Sequence, residues 1–512
     1  MRVPLCIGDY LERSSLHGER IAVVDEPEAP GSLGAVSHAE LAARARGMAL
    51  ALDRMGVGHG ERVAIVSPNS ARMLIALYGV SAFGRVLVPI NYRLNADEIG
   101  YIVDHAEASL VLVDPELAPA LASLRAPRRL LLDGEEDAEL LAPSDEEPPP
   151  WAADEDAAAS INYTSGTTAR PKGVQLTHRN LWLNAAALGW HTGVGEDDVY
   201  LHTLPMFHCN GWGFPYGLCA MGGRQVLLRR VDGAEILRRV AAHGVTLLAG
   251  PPAVLGAVLG AAAALRERGE PVPGRGSVRI LLGGAPPDST AIERAEADLG
   301  WEVMHGYGLT ETSPLLTLTR ACGAWSGLSP AERARRLARQ GPPAIGVRVR
   351  LADDGEVLAR SNHVFAGYWR QPEATAAAHA GDWLRTGDGG RMEGADLVLT
   401  DRRKDVIVSG GENVSSIEVE DCLLSHPAIA EAAVIGVPDE RWGETVKALV
   451  VVRPGAELSE GEVIAHARER LAHFKCPTSV ELRERLPRTA TGKLQKFLLR
   501  EPYWRGRERA VN

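Results

Sequence analysis

A run of small polar residues between Tyr163 and Gly173 contains the residue types best suited to chemistry. It reads Y-T-S-G-T-T-A-R-P-K-G, a composition that disfavours helix and strand and indicates a loop. Hydroxyl and backbone N–H groups donate hydrogen bonds and a lysine supplies positive charge, which suits a phosphate chain. The run is not a Walker A pattern, and a flexible polar surface loop is the alternative. The candidate phosphate-binding residues are Thr164, Ser165, Gly166, Thr167, Thr168 and Lys172.

Further motifs follow along the chain, and each places polar or acidic side chains near glycine. They are H-G-Y-G-L-T-E at 305–311, T-G-D at 386–388, D-R-R-K-D at 401–405, S-G-G-E-N at 409–413 and P-R-T-A-T-G-K at 487–493. In this order the motifs resemble the adenylate-forming superfamily of acyl-CoA synthetases, luciferases and peptide-synthetase adenylation domains. The resemblance covers nearly the whole chain, and the run L-P-M-F-H-C-N-G-W at 204–212 most resembles the fatty-acyl, medium-chain or aryl acyl-CoA synthetase branch.

The resemblance implies a reaction in two steps. A carboxylate attacks the α-phosphorus of ATP to give acyl-AMP and pyrophosphate, and the thiol of coenzyme A then displaces AMP. Because the first step brings anions together, it needs positive charge and a metal ion. The implied small molecules are a carboxylic acid, ATP, Mg²⁺ and coenzyme A.

The resemblance also assigns nucleotide contacts. Glu311 would hold Mg²⁺, which often takes one carboxylate together with substrate phosphates, and Thr310 would donate to the α-phosphate. Asp388 suits the ribose hydroxyls, and Arg402 would reach the same sugar or the phosphate. A solvated loop acid and an ordinary turn residue are the alternative interpretations of Glu311 and Asp388. Tyr307 and the segment that contains Ala285 are expected at adenine, and His305 and Gly306 are further expected cofactor-binding residues.

Lys493 is implied to act in adenylation, where the matching lysine of the family bridges the acyl carboxylate and the nucleotide. An ammonium group with three donors suits that role, and an exposed surface lysine is the alternative. Lys404 matches the hinge about which the small domain rotates between the half-reactions. After rotation Gly410 and Gly411 would line the pantetheine tunnel, where close backbone approach favours glycine.

The acyl site is expected along the segment 204–212, which reads L-P-M-F-H-C-N-G-W. His208 would border, orient or gate the acid, with a satisfied core histidine as the alternative. The segment lacks the acidic residue with which amino-acid-activating relatives hold an α-amino group, so a plain carboxylic acid is the expected substrate. The residues expected to shape the pocket are Asn210, Trp212 and Gly213, and Trp442 and Lys475 are candidate contacts for coenzyme A.

Two positions depart from the family pattern. Ala169 stands where glycine is usual, which removes the freedom for a positive φ in the phosphate loop. Gly389 follows T-G-D where relatives carry a bulky apolar residue. Neither change removes a chemical group, so they bear on loop dynamics rather than on the reaction.

Composition and charge exclude several classes of protein. The chain of 512 residues has 45% apolar and 24% charged residues, typical of globular proteins. Its net charge of −11 argues against nucleic acid or an anionic membrane as the main partner. Scattered cysteines without a C-x-x-C pair fit a reducing cytosol. Because neither a signal peptide nor a long apolar run is found, a cytoplasmic protein without a membrane span is expected; a homodimer is left open.

Apolar strands that alternate with helical patterns predict an α/β fold with mostly parallel sheets. Predicted strands include Arg62–Ser67, Val86–Ile90 and Arg279–Leu282. Several candidate loops follow strand ends, where open α/β sheets bind ligands. The acidic stretch Asp133–Pro150 ends in prolines and is expected to be a surface loop rather than a domain boundary.

The pattern changes after Thr400. Ser415-x-x-Glu418 and Ser459-x-x-Glu462 are capping-box patterns, and the second predicts a helix that reaches about His473. The predicted domains are a large N-terminal domain at 1–400 with the ATP and acyl sites, a hinge at 401–404, and a small mobile C-terminal α+β domain at 405–512 that carries the catalytic lysine.

Three alternatives to a coenzyme A ligase stay open at this point. A biosynthetic ligase of the same fold would pass the acyl group to an amine, a hydroxyl or a carrier protein. A degenerate protein would bind acyl-AMP without turnover, against which the joint presence of Lys172, Glu311, Asp388, Arg402 and Lys493 argues. A luciferase-like oxygenase has no specific motif in its favour.

Overall fold

Helices and strands alternate along most of the chain in the computed structural model, which describes residues 3–164, 170–402, 405–409, 412–439, 441–489 and 494–505. Ser37, Ser70 and Thr177 each begin a helix by accepting a hydrogen bond from a first-turn N–H group, which satisfies a donor that the helix leaves unpaired. The helices are α1 Gly8–Ser15, α2 His38–Arg54, α3 Ala71–Gly79, α4 Ala96–Ala106, α5 His178–Thr192, α6 Phe214–Met221, α7 Gly233–His243, α8 Pro252–Glu267, α9 Ser289–Arg294, α10 Pro330–Leu337, α11 Pro372–Ala377, α12 Ser416–Leu424, α13 Glu460–Arg468 and α14 Lys496–Trp504.

The strands of the described residues form four sheets. The strands are β1 Ile21–Val24, β2 Ala35–Ser37, β3 Arg62–Val66, β4 Val86–Ile90, β5 Ala108–Val113, β6 Arg129–Leu131, β7 Ala158–Thr164, β8 Lys172–Thr177, β9 Val199–His202, β10 Arg224–Leu227, β11 Leu247–Gly250, β12 Arg279–Leu282, β13 Glu302–Gly308, β14 Leu315–Arg320, β15 Arg348–Leu351, β16 Glu356–Arg360, β17 Gly367–Tyr368, β18 His379–Ala380, β19 Trp383–Glu393, β20 Asp396–Arg402, β21 Ile407–Ser409, β22 Glu412–Val414, β23 Ile429–Asp439, β24 Gly443–Val452 and β25 Ser479–Leu482.

Two large sheets form the body of the protein. Their strand orders are β14-β13-β12-β11-β9-β10-β1-β2 and β17-β8-β7-β4-β3-β5-β6. Parallel pairing joins β13 through β1 in the first sheet and β7 through β6 in the second. Antiparallel pairs lie towards the sheet edges. The predicted α/β fold with mostly parallel sheets is confirmed.

Two smaller sheets follow. One has the order β15-β16-β19-β18, with β20 paired to β19, and is antiparallel throughout. The other has the order β22-β21-β24-β23, with β25 paired parallel to β24. The antiparallel sheet that carries the T-G-D motif was not among the elements predicted from the sequence.

Several predicted elements differ in detail from the structure. Strand β13 extends to Gly308 and therefore includes the tyrosine of H-G-Y-G-L-T-E. Helix α13 ends at Arg468, short of the predicted His473. The Ser415 hydroxyl accepts from the Glu418 N–H, but the Glu418 carboxylate contacts Lys475 Nζ at 2.8 Å. Only one of the two hydrogen bonds of the predicted capping box therefore forms. The connector 133–150 contains no helix or strand, as predicted, but it does not lie wholly at the surface, because Asp137, Leu140 and Leu141 are buried.

Buried helices join the two large sheets. Every residue of α3 is buried, and its Tyr78 hydroxyl donates to the Pro215 carbonyl on α6 at 3.1 Å. Burial of this kind stabilises by about 25 cal/mol per Å² of apolar surface. Within the described ranges, no helix is both long enough and apolar enough to cross a membrane.

Candidate active site

A cleft opens where β12 and β13 end, beside the segment that begins at His208. Apolar side chains and glycine backbone form most of its walls, and it encloses about 490 Å³ of empty space, part of it open to solvent. The cleft brings the predicted acyl run together with the G-Y-G-L-T-E motif. Its lining residues are Leu188, His208, Cys209, Trp212, Leu281, Gly284, Gly306, Tyr307, Gly308, Leu309, Thr310, Pro314 and Leu315.

A tight turn at Gly308 presents Thr310 and Glu311 beside the cleft. A Cβ atom on Gly308 would lie 1.6 Å from the Pro314 carbonyl oxygen, so only glycine permits this close approach. The chain then forms a 3-10 turn at Thr310–Thr312, where the Thr312 hydroxyl accepts from the Leu309 N–H at 2.9 Å. The backbone geometry of this turn therefore explains why the motif has glycine at 308.

Glu311 belongs to a cluster with Tyr368 and Lys172. The Tyr368 hydroxyl donates to Glu311 Oε1 at 2.8 Å, and Lys172 Nζ lies 4.7 Å from the centre of the Tyr368 ring, within cation–π range. Lys172 pairs with Thr164 across β7 and β8, at the base of the phosphate-loop hairpin. Tyr368 was not predicted from the sequence, because a tyrosine that follows a glycine has no chemical signature by itself.

Tyr307 and Asp388 form a second buried contact beside the cleft. The Tyr307 hydroxyl donates to Asp388 Oδ2 at 2.7 Å. Asp388 lies on β19 directly opposite Arg402 of β20. Tyr307 was predicted to wall the adenine site and does line the cleft, and in addition it orients the carboxylate predicted to bind the ribose.

The acyl segment has an unusual backbone. Positive φ angles occur at Cys209 (46°), Asn210 (50°), Gly211 (60°), Trp212 (59°) and Gly213 (95°). For residues other than glycine a left-handed conformation costs roughly 1–2 kcal/mol each. Strain of this kind persists only where the surrounding structure holds it, and it is concentrated at ligand sites.

Buried amide side chains hold this left-handed turn. Asn210 Nδ2 donates to Ser160 Oγ at 2.8 Å and its Oδ1 accepts from Asn162 at 3.2 Å. Asn184 Nδ2 donates to the Trp212 carbonyl at 2.9 Å. The side chain of Asn210 and the backbone of Gly213 therefore lie outside the cleft lining. They shape the pocket because they fix the turn, and neither group lines the pocket itself.

Trp212 is the large side chain that the turn directs into the cleft. A Cβ atom on Gly283 would lie 2.8 Å from Trp212 Cη2 and 2.9 Å from the Gly306 carbonyl oxygen. The indole thus packs directly on the backbone at the end of β12. Of the G-G-A-P segment, Gly284 lines the cleft, and Ala285, predicted to contact adenine, is half-buried and outside the lining.

The position of His305 differs from the prediction. Its imidazole is buried, its Nδ1 lies 2.9 Å from the Arg339 carbonyl oxygen, and it does not line the cleft. Burial lowers the pKa of His305 to about 4, so the ring is neutral at physiological pH. Its side chain is therefore part of the protein interior behind β13, whereas the next three residues line the cleft.

Part of the predicted site lies outside the described residues. This applies to Ser165, Gly166, Thr167, Thr168 and Ala169 of the phosphate loop, to Lys404, Gly410 and Gly411, to Lys493, and to the side chain of Arg402. Of the candidate coenzyme A contacts, Trp442 is exposed beside Arg441, whose guanidinium lies 4.5 Å from the indole centre. Lys475 is paired with Glu418.

The fold and the cleft define the class of enzymes that activate carboxylic acids as adenylates. The chain matches the AMP-binding enzyme family over residues 11–369 and the AMP-binding enzyme C-terminal domain over residues 418–493. It belongs to this family of AMP-binding enzymes.

Characterised relatives share most of its length. The chain is 36% identical to 2-methylpropanoate–CoA ligase CCL4 of Humulus lupulus, over 97% of this chain and 95% of that protein. It is 35% identical to the peroxisomal butyrate–CoA ligase AAE11 of Arabidopsis thaliana, over 89% and 86%. The structure of o-succinylbenzoate CoA synthetase (MenE) from Bacillus subtilis with the acyl-adenylate OSB-AMP superposes with a TM-score of 0.81 at 30% identity, over 96% of this chain and 97% of that chain.

These similarities confirm the predicted acyl-CoA ligase branch. The enzyme uses ATP to convert a carboxylic acid into acyl-AMP and transfers the acyl group to coenzyme A, with Mg²⁺ as the usual metal ion of the family. Neither a different acyl acceptor nor a non-catalytic binding protein is favoured by these relatives.

Proposed function

We propose that this ligase acts on short aliphatic carboxylic acids, straight or branched. The observation that carries the proposal is the packing of the Trp212 indole on Gly283, because it leaves no space between the indole and the end of β12. An extended alkyl chain would need that space. The apolar residues Leu188, Leu281 and Leu315 supply the remaining contact surface for a small acyl group.

Two further observations support a small uncharged acyl group. The cleft lining includes no lysine, arginine, aspartate or glutamate among the described residues, so an amino acid or a dicarboxylate would lack a charged partner. Two of the three relatives named above are ligases of 2-methylpropanoate and of butyrate, and the third is an o-succinylbenzoate CoA synthetase. The proposal departs from the predicted fatty-acyl, medium-chain or aryl class in favour of short aliphatic acids.

Glu311 is proposed to hold Mg²⁺. Among the described residues its Oε1 accepts the Tyr368 hydroxyl and its Oε2 accepts no hydrogen bond, which leaves one carboxylate oxygen for the ion. The described residues contain no group of three or more metal-ligating side chains, which suits an ion that one carboxylate and phosphate oxygens hold together. When bound, Mg²⁺ would offset the negative charge of the phosphates.

The residues around Glu311 are proposed to bind the nucleotide. Thr310 would donate to the α-phosphate, and Lys172 would contact the phosphate chain with Thr164 and the hydroxyls at 165, 167 and 168. Asp388, oriented by Tyr307, would accept the ribose hydroxyls, with Arg402 as its neighbour across the strand pair. His208 lines the cleft together with Thr310 and would border the acyl carboxylate.

The remaining roles concern the small domain. We retain the proposed division into a domain at 1–400, a hinge at 401–404 that includes Lys404, and a domain at 405–512. Lys493 would stabilise charge during adenylation, and Gly410 and Gly411 would serve thioester formation. Lys493→Ala is expected to abolish adenylation and to spare transfer from supplied acyl-AMP. Adenylation by this variant at the wild-type rate would refute the role.

A panel of acids tests the proposed substrate class. The protein would be incubated with ATP, Mg²⁺ and straight-chain, branched or aryl acids, with and without coenzyme A, and products would be read by mass spectrometry. Acyl-CoA and AMP should form fastest with acids of about three to six carbons, which match a pocket that Trp212 closes. Faster turnover of acids with eight or more carbons, or of benzoate, would contradict the proposal.

The compartment is a separate proposal. Free cysteines at six positions fit a reducing environment, and the cytoplasm is the compartment proposed for this chain. Some relatives are peroxisomal by name. Fractionation of the source cells, with antibody detection of the chain, would distinguish the two.

A further inference from the structure

We infer that Tyr368 is a positioning residue that couples the phosphate-loop lysine to the carboxylate of Glu311 and so sets the enzyme's affinity for Mg²⁺. The inference rests on the proposed roles of Glu311 and Lys172. It concerns a residue outside the motifs from which those roles came. Three features of the structure carry it: the hydroxyl contact, the ring contact and the rigid attachment of the tyrosine.

The hydroxyl contact orients the carboxylate. The O–H group of Tyr368 donates to Glu311 Oε1 at 2.8 Å, and hydrogen bonds to an ionised group are the stronger kind. With Oε1 held in this way, Oε2 is the carboxylate oxygen that would be left to hold a metal ion. Partners that orient a metal-binding carboxylate typically change metal affinity about 10- to 100-fold when they are removed.

The ring contact keeps two opposite charges apart. Lys172 Nζ lies 4.7 Å from the centre of the Tyr368 ring, and no ion pair joins Lys172 to Glu311 in the part of the chain that the structure describes. Ammonium and carboxylate groups in direct contact would neutralise each other. Because the tyrosine lies between them, Lys172 remains available to phosphate and Glu311 to a cation.

The tyrosine is rigidly attached on both sides. Its backbone pairs with Val174 of β8, and its N–H group donates to Thr375 Oγ1 at 2.9 Å. The nearby Phe365 N–H donates to the Glu311 carbonyl at 2.8 Å, and its ring meets the Tyr368 ring edge-on at 4.9 Å. One short segment therefore holds both the backbone and the side chain of Glu311.

A similar trio elsewhere in the chain provides a matched control. Lys447 Nζ lies 5.2 Å from the centre of the Tyr503 ring, and the Tyr503 hydroxyl donates to Glu481. There the lysine also pairs directly with the glutamate, at 3.8 Å. The Tyr503 trio lies between β24, β25 and α14, among none of the residues proposed to bind nucleotide or acid.

The test compares the Mg²⁺ dependence of Tyr368→Phe, Tyr503→Phe and Glu311→Gln. ATP–pyrophosphate exchange gives the half-saturating Mg²⁺ concentration, and calorimetry gives the affinity for α,β-methylene ATP with Mg²⁺ and with EDTA. Tyr368→Phe should raise the half-saturating concentration about tenfold and leave binding in EDTA unchanged. Tyr503→Phe should alter neither quantity. Tyr368→Leu, which also removes the ring, should weaken binding in EDTA as well.

The outcomes separate this inference from the proposed function. If Glu311→Gln raises the Mg²⁺ requirement and Tyr368→Phe does not, the positioning role of Tyr368 is refuted and the role of Glu311 stands. If Glu311→Gln keeps the wild-type Mg²⁺ dependence, the metal role of Glu311 is refuted and the inference with it. A lower melting temperature of Tyr368→Phe with unchanged Mg²⁺ dependence would show a purely structural tyrosine and also refute the inference.

Discussion

The Tyr307 hydroxyl and the Asp388 carboxylate, 2.7 Å apart, join the end of β13 to β19 of the antiparallel sheet. Both residues are buried. One hydrogen bond therefore links the strand that lines the cleft to the strand that carries the T-G-D motif. The wall proposed for adenine and the acceptor proposed for ribose are held as one unit.

Tyr307→Phe should therefore weaken ATP binding. Removal of the donor leaves a buried carboxylate short of a hydrogen bond, which costs about 1–3 kcal/mol of folding stability. Because Asp388 then loses the contact that orients it, the KM for ATP should rise about tenfold while the KM for the acid stays close to wild type. Steady-state kinetics with each substrate varied in turn measure both quantities. Tyr10→Phe removes a buried tyrosine hydroxyl bonded to the Trp182 carbonyl and serves as control. A wild-type KM for ATP in Tyr307→Phe would show that Asp388 does not depend on this contact.

Trp212→Ala should shift the preference for acids towards longer chains. Loss of the indole opens the space beside Gly283, and each additional buried methylene contributes about 0.8 kcal/mol. The ratio of kcat/KM for octanoate to that for butanoate should rise at least tenfold, whereas Trp212→Phe should keep the wild-type ratio within a few-fold. Trp190→Ala, at a position that is 77% exposed, is the control. An unchanged ratio in Trp212→Ala would mean that another residue limits chain length.

Local patterns were enough to predict individual elements. Strands β4 and β12 have the predicted bounds, because apolar, β-branched runs specify a buried parallel strand without help from distant residues. The Ser459 capping box likewise forms as its spacing predicts. Such features depend on residues a few positions apart, and the sequence contains all of that information.

The geometry of the site depends on contacts between distant segments. The left-handed turn at 209–213 is held by Ser160, Asn162 and Asn184, which the sequence does not place beside it. Tyr368 meets Glu311 only because β17 pairs with β8. Motif resemblance selected His208, Trp212, Tyr307 and Thr310, and all four line the cleft. The resemblance could not indicate that the His305 imidazole is buried behind β13 and does not line the cleft.

Acid should destabilise the protein through its buried histidines. Burial lowers the pKa values of His38, His178, His202 and His305 from 6.5 to about 4. The unfolded chain therefore binds protons at a higher pH than the folded protein does. The resulting stabilisation is complete above about pH 6.5 and is lost as the pH falls towards 4.

The free energy of unfolding should consequently fall between pH 7 and pH 5, by about 2 kcal/mol for each such histidine. Urea unfolding at several pH values measures the slope. His202→Gln should reduce the slope of the unfolding free energy against pH by the amount that corresponds to about one bound proton. His59→Gln, at an exposed position, should leave this slope unchanged. A slope that His202→Gln does not alter would show that His202 titrates normally in the folded protein.

Lys496 and Glu420 form an ion pair with 2.8 Å between Nζ and Oε1, and their side chains are only 11% and 16% exposed. The pair ties the first residue of α14 to α12, and Lys496 also contacts Ser416 Oγ. Ser416 in turn donates through its N–H group to Asp401 Oδ2 at 2.9 Å, so the network reaches the strand that leads into the proposed hinge.

Lys496→Met should lower the free energy of unfolding by up to about 3–5 kcal/mol, because the Glu420 carboxylate, mostly shielded from water, then keeps its hydrogen bond from the Val434 N–H but has no cation. The double variant Lys496→Met/Glu420→Leu should recover most of this loss, since apolar replacements of both partners are often neutral. Arg238→Met, which breaks the exposed pair with Glu235, should cost less than about 1 kcal/mol. Urea unfolding at pH 7 measures all three variants. Stability within 1 kcal/mol of wild type in Lys496→Met would mean that water reaches Glu420, and α12 and α14 would then be held together by apolar packing instead.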